Sequence, residues 1–225
     1  ELDNTPRYYM EGNQNIYGEG MWAPTFRYYK GTYYIVFTAN DTHKSHLLTA
    51  SDPKGPWEHR TIEGWYYDSG LFFDDDDQVY IYNGGGGICK GGKLKDNMME
   101  LDGKMKIMEG LDDFHEATWI HKYKGKYYLS YADNHEPNNN DGMKGYNCMR
   151  YAISDTPLGP WKYMGVYMEP SDCFTNQGSI VEYKGEWFAF YHTISLSNNP
   201  ALRSICADKL YHNEDGTIRM VKQHK

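Results

Sequence analysis

One pattern occurs four times along these 225 residues: a short apolar strand, a polar turn with Gly or Asp, then a strand carrying paired aromatics. Thr25–Tyr29, Lys30-Gly31 and Thr32–Phe37 make the first copy. Leu71–Phe73, Asp74–Asp77 and Gln78–Tyr82 make the second. Trp119–Tyr123, Lys124-Gly125 and Lys126–Tyr131 make the third, and Ile180–Tyr183, Lys184-Gly185 and Glu186–Tyr191 the fourth. β-prone residues around a turn of this length predict a hairpin. A third and a fourth strand are expected after each hairpin. Ser51-Asp52-Pro53-Lys54-Gly55-Pro56-Trp57 returns as Ser154-Asp155-Thr156-Pro157-Leu158-Gly159-Pro160-Trp161, with Pro and Gly setting the turn and Trp opening the outer strand. A spacing of about 45–60 residues is the period of a four-stranded propeller blade. The expectation is one all-β propeller domain over residues 1–225, with blades at 21–65, 66–110, 115–170 and 176–223. Asn134 to Asn147, polar and Asn-rich, reads as a loose loop.

Composition agrees. Aromatics are 16 % of the chain, including 22 Tyr, and Gly adds 23. This is the mix of strands and turns rather than of helix bundles. No apolar run approaches the length of a membrane-spanning helix. The chain opens Glu1-Leu2-Asp3, without the features of a signal peptide, which leaves the compartment open. A net charge of −8 without basic clusters argues against nucleic acid and fits a neutral or cationic ligand, or simple solubility. Cys89, Cys148, Cys173 and Cys206 are scattered, form no C-x-x-C, and read as free thiols.

In a propeller the first strand of each blade lines the axis, so its start faces one channel mouth. The aromatic after each hairpin turn serves as a ruler. Trp22 lies 11 residues before Tyr33, Asp68 11 before Val79, Glu116 11 before Tyr127, and Gln177 10 before Trp187. Two carboxylates thus fall at one level on neighbouring blades, as glycoside hydrolysis requires: one acid protonates the leaving oxygen while a carboxylate activates water or attacks. Trp22 would supply a stacking face for a sugar. The plainer alternative is that Asp68 and Glu116 only cap strand starts.

At these residues the sequence resembles glycoside hydrolase family 43, a group of five-bladed β-propellers. Gly20-Met21-Trp22-Ala23-Pro24-Thr25 is similar to the segment opening the family's second blade. Tyr67-Asp68-Ser69-Gly70-Leu71-Phe72-Phe73-Asp74-Asp75-Asp76 is similar to its D-P-S-L-F-F-D-D-D-G segment, and Glu116 to Tyr131 to its general-acid strand. Asn176-Gln177-Gly178-Ser179, Arg203 to Leu210 and Asp215-Gly216-Thr217-Ile218 resemble its last blade. The resemblance implies an inverting glycosidase with Glu116 as general acid and Asp68 orienting and tuning it. Arg203 would contact substrate hydroxyls, with Trp22 and Gln177 also at the substrate. No cofactor is required for such chemistry.

Two departures accompany the resemblance. Gln177 stands where the family often has a His that ligates a central calcium or water cluster. Gln can still offer an oxygen to a structural Ca²⁺ in the central channel. His192 is a second inward candidate for that metal; a hydrogen-bonded strand histidine is its plainer reading. The family's general base, an Asp, belongs to a first blade with no counterpart here: residues 1–20 resemble the connection from the first blade to the second. Asp3 is too early and lacks a flanking strand to be that base. The chain is therefore expected to be N-terminally truncated, to close as four blades, or to associate with another copy.

The implied substrate is arabinose- or xylose-containing plant polysaccharide, through α-L-arabinofuranosidase or β-xylosidase action. The alternatives are an inactive or carbohydrate-binding propeller, and a protein-interaction propeller using its rim. Asp74 to Asp77 reads as a turn of solvated acids rather than a metal site. Gly84 to Gly87, with no helix and no Lys-Ser/Thr after it, reads as a turn or close backbone approach. Met98 and Met99 read as blade packing, and Trp119 and His121 as inter-blade packing.

Overall fold

A computed structural model describes residues 7–8, 16–17, 21–39, 43–64, 66–138 and 140–224. Among them every regular element is a strand. β1 (Arg7–Tyr8) and β2 (Ile16–Tyr17) form a two-stranded antiparallel ladder. β3 (Met21–Tyr29), β4 (Thr32–Ala39), β5 (Lys44–Ala50) and β6 (Glu58–Ile62) make a first antiparallel meander. β7 (Gly70–Phe73), β8 (Val79–Gly85), β9 (Ile88–Lys93) and β10 (Lys106–Ile107) make a second sheet in chain order. β11 (Phe114–Tyr123), β12 (Lys126–Asp133), β13 (Met149–Ser154) and β14 (Lys162–Met168) make a third. β15 (Ser179–Tyr183), β16 (Glu186–Thr193) and β17 (Ser204–Leu210) make the fourth. Each sheet has the up-and-down order of a propeller blade, and the fold is all-β.

The repeated hairpins have a common cause. Lys30-Gly31, Lys124-Gly125 and Lys184-Gly185 all occupy positive φ, at 46° and 83°, 47° and 76°, and 53° and 80°. Two successive residues at positive φ make the turn whose twist matches that of the flanking strands. The second repeated motif has its own cause. A Cβ on Gly55 or Gly159 would stand 2.8 Å from the indole Cδ1 of Trp57 or Trp161. Glycine thus lets the chain fold over a Trp that is buried in both copies, and the outer strand starts one residue later.

The fourth sheet departs from expectation, holding three strands rather than four. After β17 the chain turns at Asp215-Gly216, and its backbone is claimed by the third sheet. Tyr128 Oη donates to the Gly216 carbonyl (2.7 Å), the Ile218 amide donates to Tyr151 Oη (2.8 Å), and the Val221 amide to the Tyr167 carbonyl (2.7 Å). The segment pairs only briefly with the residues after β17, through the His212–Ile218 bridge and the Arg219 amide on the Tyr211 carbonyl (2.9 Å), and its bonds to the third sheet hold the rest of it away from a full fourth ladder.

The chain divides into two compact units, residues 1–83 with 91–105, and residues 84–90 with 106–225. In the first, Val36, Leu47, Ile62, Leu71, Ile81 and Leu94 fill a core between the first two sheets. Phe37, Leu48 and Trp57 cluster on the other face of the first sheet. Each such aliphatic residue removed from water contributes about 1.5–3 kcal/mol. In the second unit Trp119, Tyr128, Tyr151, Tyr167, Ile180 and Tyr191 dominate the core. Met98 belongs to the first core. Trp119 and His121 do pack sheet on sheet, through Trp119 Nε1 to the Ile180 carbonyl (2.9 Å) and His121 against Trp187.

Two smaller expectations change and a third holds. Asp74 is buried and accepts from the Asp75 amide (2.8 Å), while Asp77 is held by Lys30 and Tyr29, so that turn is not simply solvated acid. The Asn134–Asn147 loop is tied down by Asn134 Nδ2 to Asp113 (3.1 Å), His135 to Asp141 (3.2 Å) and a bridge between Tyr146 and Ser171. At Gly84 to Gly87 both readings apply: Gly86 and Gly87 turn at positive φ, and a Cβ on Gly84 would meet the Ile88 carbonyl at 2.3 Å.

His212 gives this fold an acid sensitivity. Its ring stacks on Tyr123 with centroids 3.8 Å apart and lies 3.4 Å from His121 Nε2. Burial, with Lys124 adding, lowers its pKa from 6.5 to about 4. Between those pH values the unfolded chain binds a proton that the folded chain refuses. Stability is therefore full above about pH 6.5 and declines on acidification toward pH 4. The ring is only half-buried, so solvent mutes the effect. Thermal unfolding between pH 7 and pH 4 is expected to show this decline, and His212→Phe to flatten it.

Candidate functional site

In the first unit, Trp22 pairs with Thr38, and the register then slips so that Thr25 faces Val36. One extra residue is absorbed there, and Ala23 sits at φ 43°. Such a conformation costs alanine roughly 1–2 kcal/mol. It persists because the neighbouring sheet holds the strand: Thr25 Oγ1 donates to the Ser69 carbonyl (2.7 Å) and Arg27 Nε to the Leu71 carbonyl (2.6 Å). These bonds place Trp22 beside the segment carrying Asp68. The indole meets Tyr67 edge-on with centroids 6.0 Å apart and stays 38 % exposed. Asp68, just ahead of β7, is buried and itself lies at φ 48°.

The second unit repeats the device. Glu116 pairs with Ala132, the next pairing is Trp119 with Ser130, and Ala117 between them sits at φ 65°. Trp22 and Glu116 thus occupy equivalent rungs, each opposite the residue five past the turn-following aromatic. A bulge of this kind bends a strand and re-aims its side chains. Glu116 is 8 % exposed, with its Oε2 3.6 Å from His115 Nε2. His115 escaped the sequence reading, although its adjacency to Glu116 was the available signal.

The strand that Glu116 pairs with ends in a buried ion pair. Asp133 is fully buried; its Oδ1 accepts from the His135 amide (2.9 Å) and the Cys148 amide (2.7 Å), and its Oδ2 from Arg150 Nε (2.6 Å). Arg150 also reaches Asp112 (2.5 Å) and Tyr163 (3.1 Å). Burial, the largest single influence, lowers its pKa, but Asp133, with Tyr163 and Asp113, outweighs it and raises the pKa. Nothing in the spacing of Asp133 and Arg150 announced the pair.

Gln177, half-buried, lies three residues ahead of Ile180, as Glu116 lies three ahead of Trp119. The Trp119–Ile180 hydrogen bond therefore sets both at the same end of adjacent strands. His192, at the matching end of β16, donates from Nε2 to the Thr175 carbonyl (2.9 Å). Burial, and secondarily Arg203, lower its pKa, against the raising effects of the Thr175 carbonyl and Asp172. Arg203 is exposed, its Nε bonded to the Pro200 carbonyl (3.2 Å). Calcium wants six to eight oxygens. His192 spends Nε2 within the fold, and among the described residues no three His, Cys, Asp or Glu converge. Between them Gln177 and His192 offer the ion a single side-chain oxygen. Asp3 lies outside the described residues.

Arg150→Met leaves Asp133 buried without its charge partner. It is expected to lower stability by about 3–5 kcal/mol, measured by denaturant unfolding, with Arg150→Lys recovering part of the loss.

Comparison with known proteins gives a consistent set. Residues 1–218 match Glycosyl hydrolases family 43. The chain is 35 % identical to a beta-xylosidase of Xylanibacter ruminicola, over 85 % of this chain and 71 % of that protein. It is 30 % identical to a xylosidase/arabinosidase of Bacteroides ovatus, over 89 % of this chain and 73 % of the relative. Among solved structures it resembles a family 43 beta-xylosidase/alpha-arabinofuranosidase from a compost microbial metagenome, in complex with xylotriose. There the TM-score is 0.78 at 30 % identity, over 90 % of this chain and 74 % of that one.

Proposed function

The chain belongs to glycosyl hydrolases family 43, and from that premise we propose that it cleaves xylose- or arabinose-containing plant polysaccharide or oligosaccharide, as a β-xylosidase or α-L-arabinofuranosidase. It is a glycosidase, hydrolysing O-glycosyl bonds. The observation that carries the reading is Glu116: a buried carboxyl on the rung of β11 that directly precedes an alanine bulge. A similar bulge at Trp22 offers an exposed indole. The names of the relatives, xylosidases and arabinosidases, supply the sugar class.

In this account Glu116 gives its proton to the glycosidic oxygen as the bond to the anomeric carbon breaks, and water attacks the opposite face of the sugar. Asp68 has the modulating role, setting the proton affinity of the acid. Trp22 presents a stacking face that excludes water, and Arg203 and Gln177 donate to sugar hydroxyls. The carboxylate that activates the water is assigned to no residue of this chain.

Nitrophenyl β-D-xylopyranoside and α-L-arabinofuranoside test the reading. Turnover is expected on at least one of them. Glu116→Gln should lower kcat by about 10²–10⁴-fold with the thermal midpoint unchanged. Asp68→Asn should move the pH profile of kcat as well as its height. Sugar binding without turnover by the unmodified chain would overturn the reading in favour of a carbohydrate-binding propeller.

A further inference from the structure

The first unit carries two adjoining clefts that the proposed chemistry leaves unused. One, of about 570 Å³, lies between the turn after β5, the start of β6 and residues 96–98. The other, of about 320 Å³, lies between the β3–β4 and β7–β8 turns and residues 94–98. Tyr34, Asp96 and Met98 line both, so the groove has two lobes that meet at these side chains. Thr32 and Lys30, at the hairpin end of the first sheet, border it, whereas Trp22 lies at the other end of β3. Tyr29 lies seven residue steps along β3 from Trp22, so the groove is roughly 20 Å from that indole.

Its chemistry is specific. Lys30, Arg60 and Lys95 are matched by Glu58, Asp77 and Asp96 along the walls, so the groove carries no net charge. Donors and acceptors stand close together on an aromatic floor: Tyr34 leans on Phe73 with ring centroids 4.7 Å apart, and Tyr29 stacks on the same ring at 4.6 Å. Phe73 thereby fixes both tyrosines. Arg60 is only loosely paired, 3.6 Å from Glu58. A phosphorylated or nucleic-acid ligand would want net positive walls, and an apolar peptide would want fewer charged ones. Balanced charges beside fixed aromatic rings suit a neutral polyhydroxylated ligand, which takes hydrogen bonds at its hydroxyls and stacks its C–H faces on rings. Two adjoining lobes, of about 570 and 320 Å³, suit several linked sugars rather than one.

We propose that this groove is a second, non-catalytic binding site for a neutral oligosaccharide chain, holding polymeric substrate on a face remote from Trp22. The choice of a xylan-type chain as probe rests on the function proposed above; the existence of the groove does not.

The test uses the full chain in the Glu116→Gln background, so that nothing is consumed. Retention on insoluble arabinoxylan and titration with xylohexaose are compared between this protein and the same protein carrying Arg60→Ala with Asp96→Ala, or Tyr34→Ala. The polar pair is partly solvent-facing, which keeps one arm informative if Tyr34→Ala weakens the fold. Loss of a charged hydrogen-bond pair should weaken binding about tenfold. The same substitutions in the unmodified chain should leave kcat/KM on nitrophenyl glycosides within about twofold. Undiminished retention after Arg60→Ala with Asp96→Ala overturns the groove, as does a parent that does not bind. Groove-dependent retention without nitrophenyl turnover would keep the groove and remove the proposed activity. Turnover with groove-independent retention would do the reverse.

Discussion

An alanine in the left-handed conformation, one residue past Trp22 and again one past Glu116, is the constraint on which the candidate site depends. Each takes up one extra residue in an inner strand, so the side chain before it projects differently from a regular strand position. Alanine has no polar side-chain group with which to compensate locally, so neighbouring sheets must hold the conformation. Thr25 and Arg27 do this by bonding to the Ser69 and Leu71 carbonyls, and Trp119 by bonding to the Ile180 carbonyl. The inter-sheet bonds that stabilise the blades are thus also the ones that aim Trp22 and Glu116.

A second layer supports the first. Asp133 ends the strand that Glu116 pairs with, and its two amide donors and Arg150 leave it little freedom. A buried ion pair is a weak source of net stability, but breaking it is costly. Its value here is positional: it ties β12, the following loop and β13 into one rigid end. His135, bonded to Asp141, continues that tie into the loop.

Much of this was legible in the sequence because it has a period. The four hairpins, the two Gly-Pro-Trp turns and the equivalent rungs that Trp22 and Glu116 hold within their own sheets all follow from residues recurring at fixed offsets. What was not legible lacks a local signal. Ala23 and Ala117 are ordinary strand residues by type, and only the pairing register shows that they are bulged. Asp133 and Arg150 meet across a loop whose composition reads as loose. The fourth sheet stops at three strands because tyrosine hydroxyls and a carbonyl of the third sheet bind the backbone that would have made another, a competition between sheets that no single segment displays.

The central claim is that Glu116 donates a proton to the leaving oxygen, and dependence on the leaving group tests it most directly. An acid is needed only where the departing alkoxide is a strong base. With Glu116→Gln, cleavage of a dinitrophenyl xyloside or arabinofuranoside should approach the rate of the unmodified protein, while alkyl glycosides and oligosaccharides are cleaved about 10²–10⁴-fold more slowly. An equal loss across all leaving groups would contradict the account, because it would place Glu116 in binding or folding rather than in proton transfer.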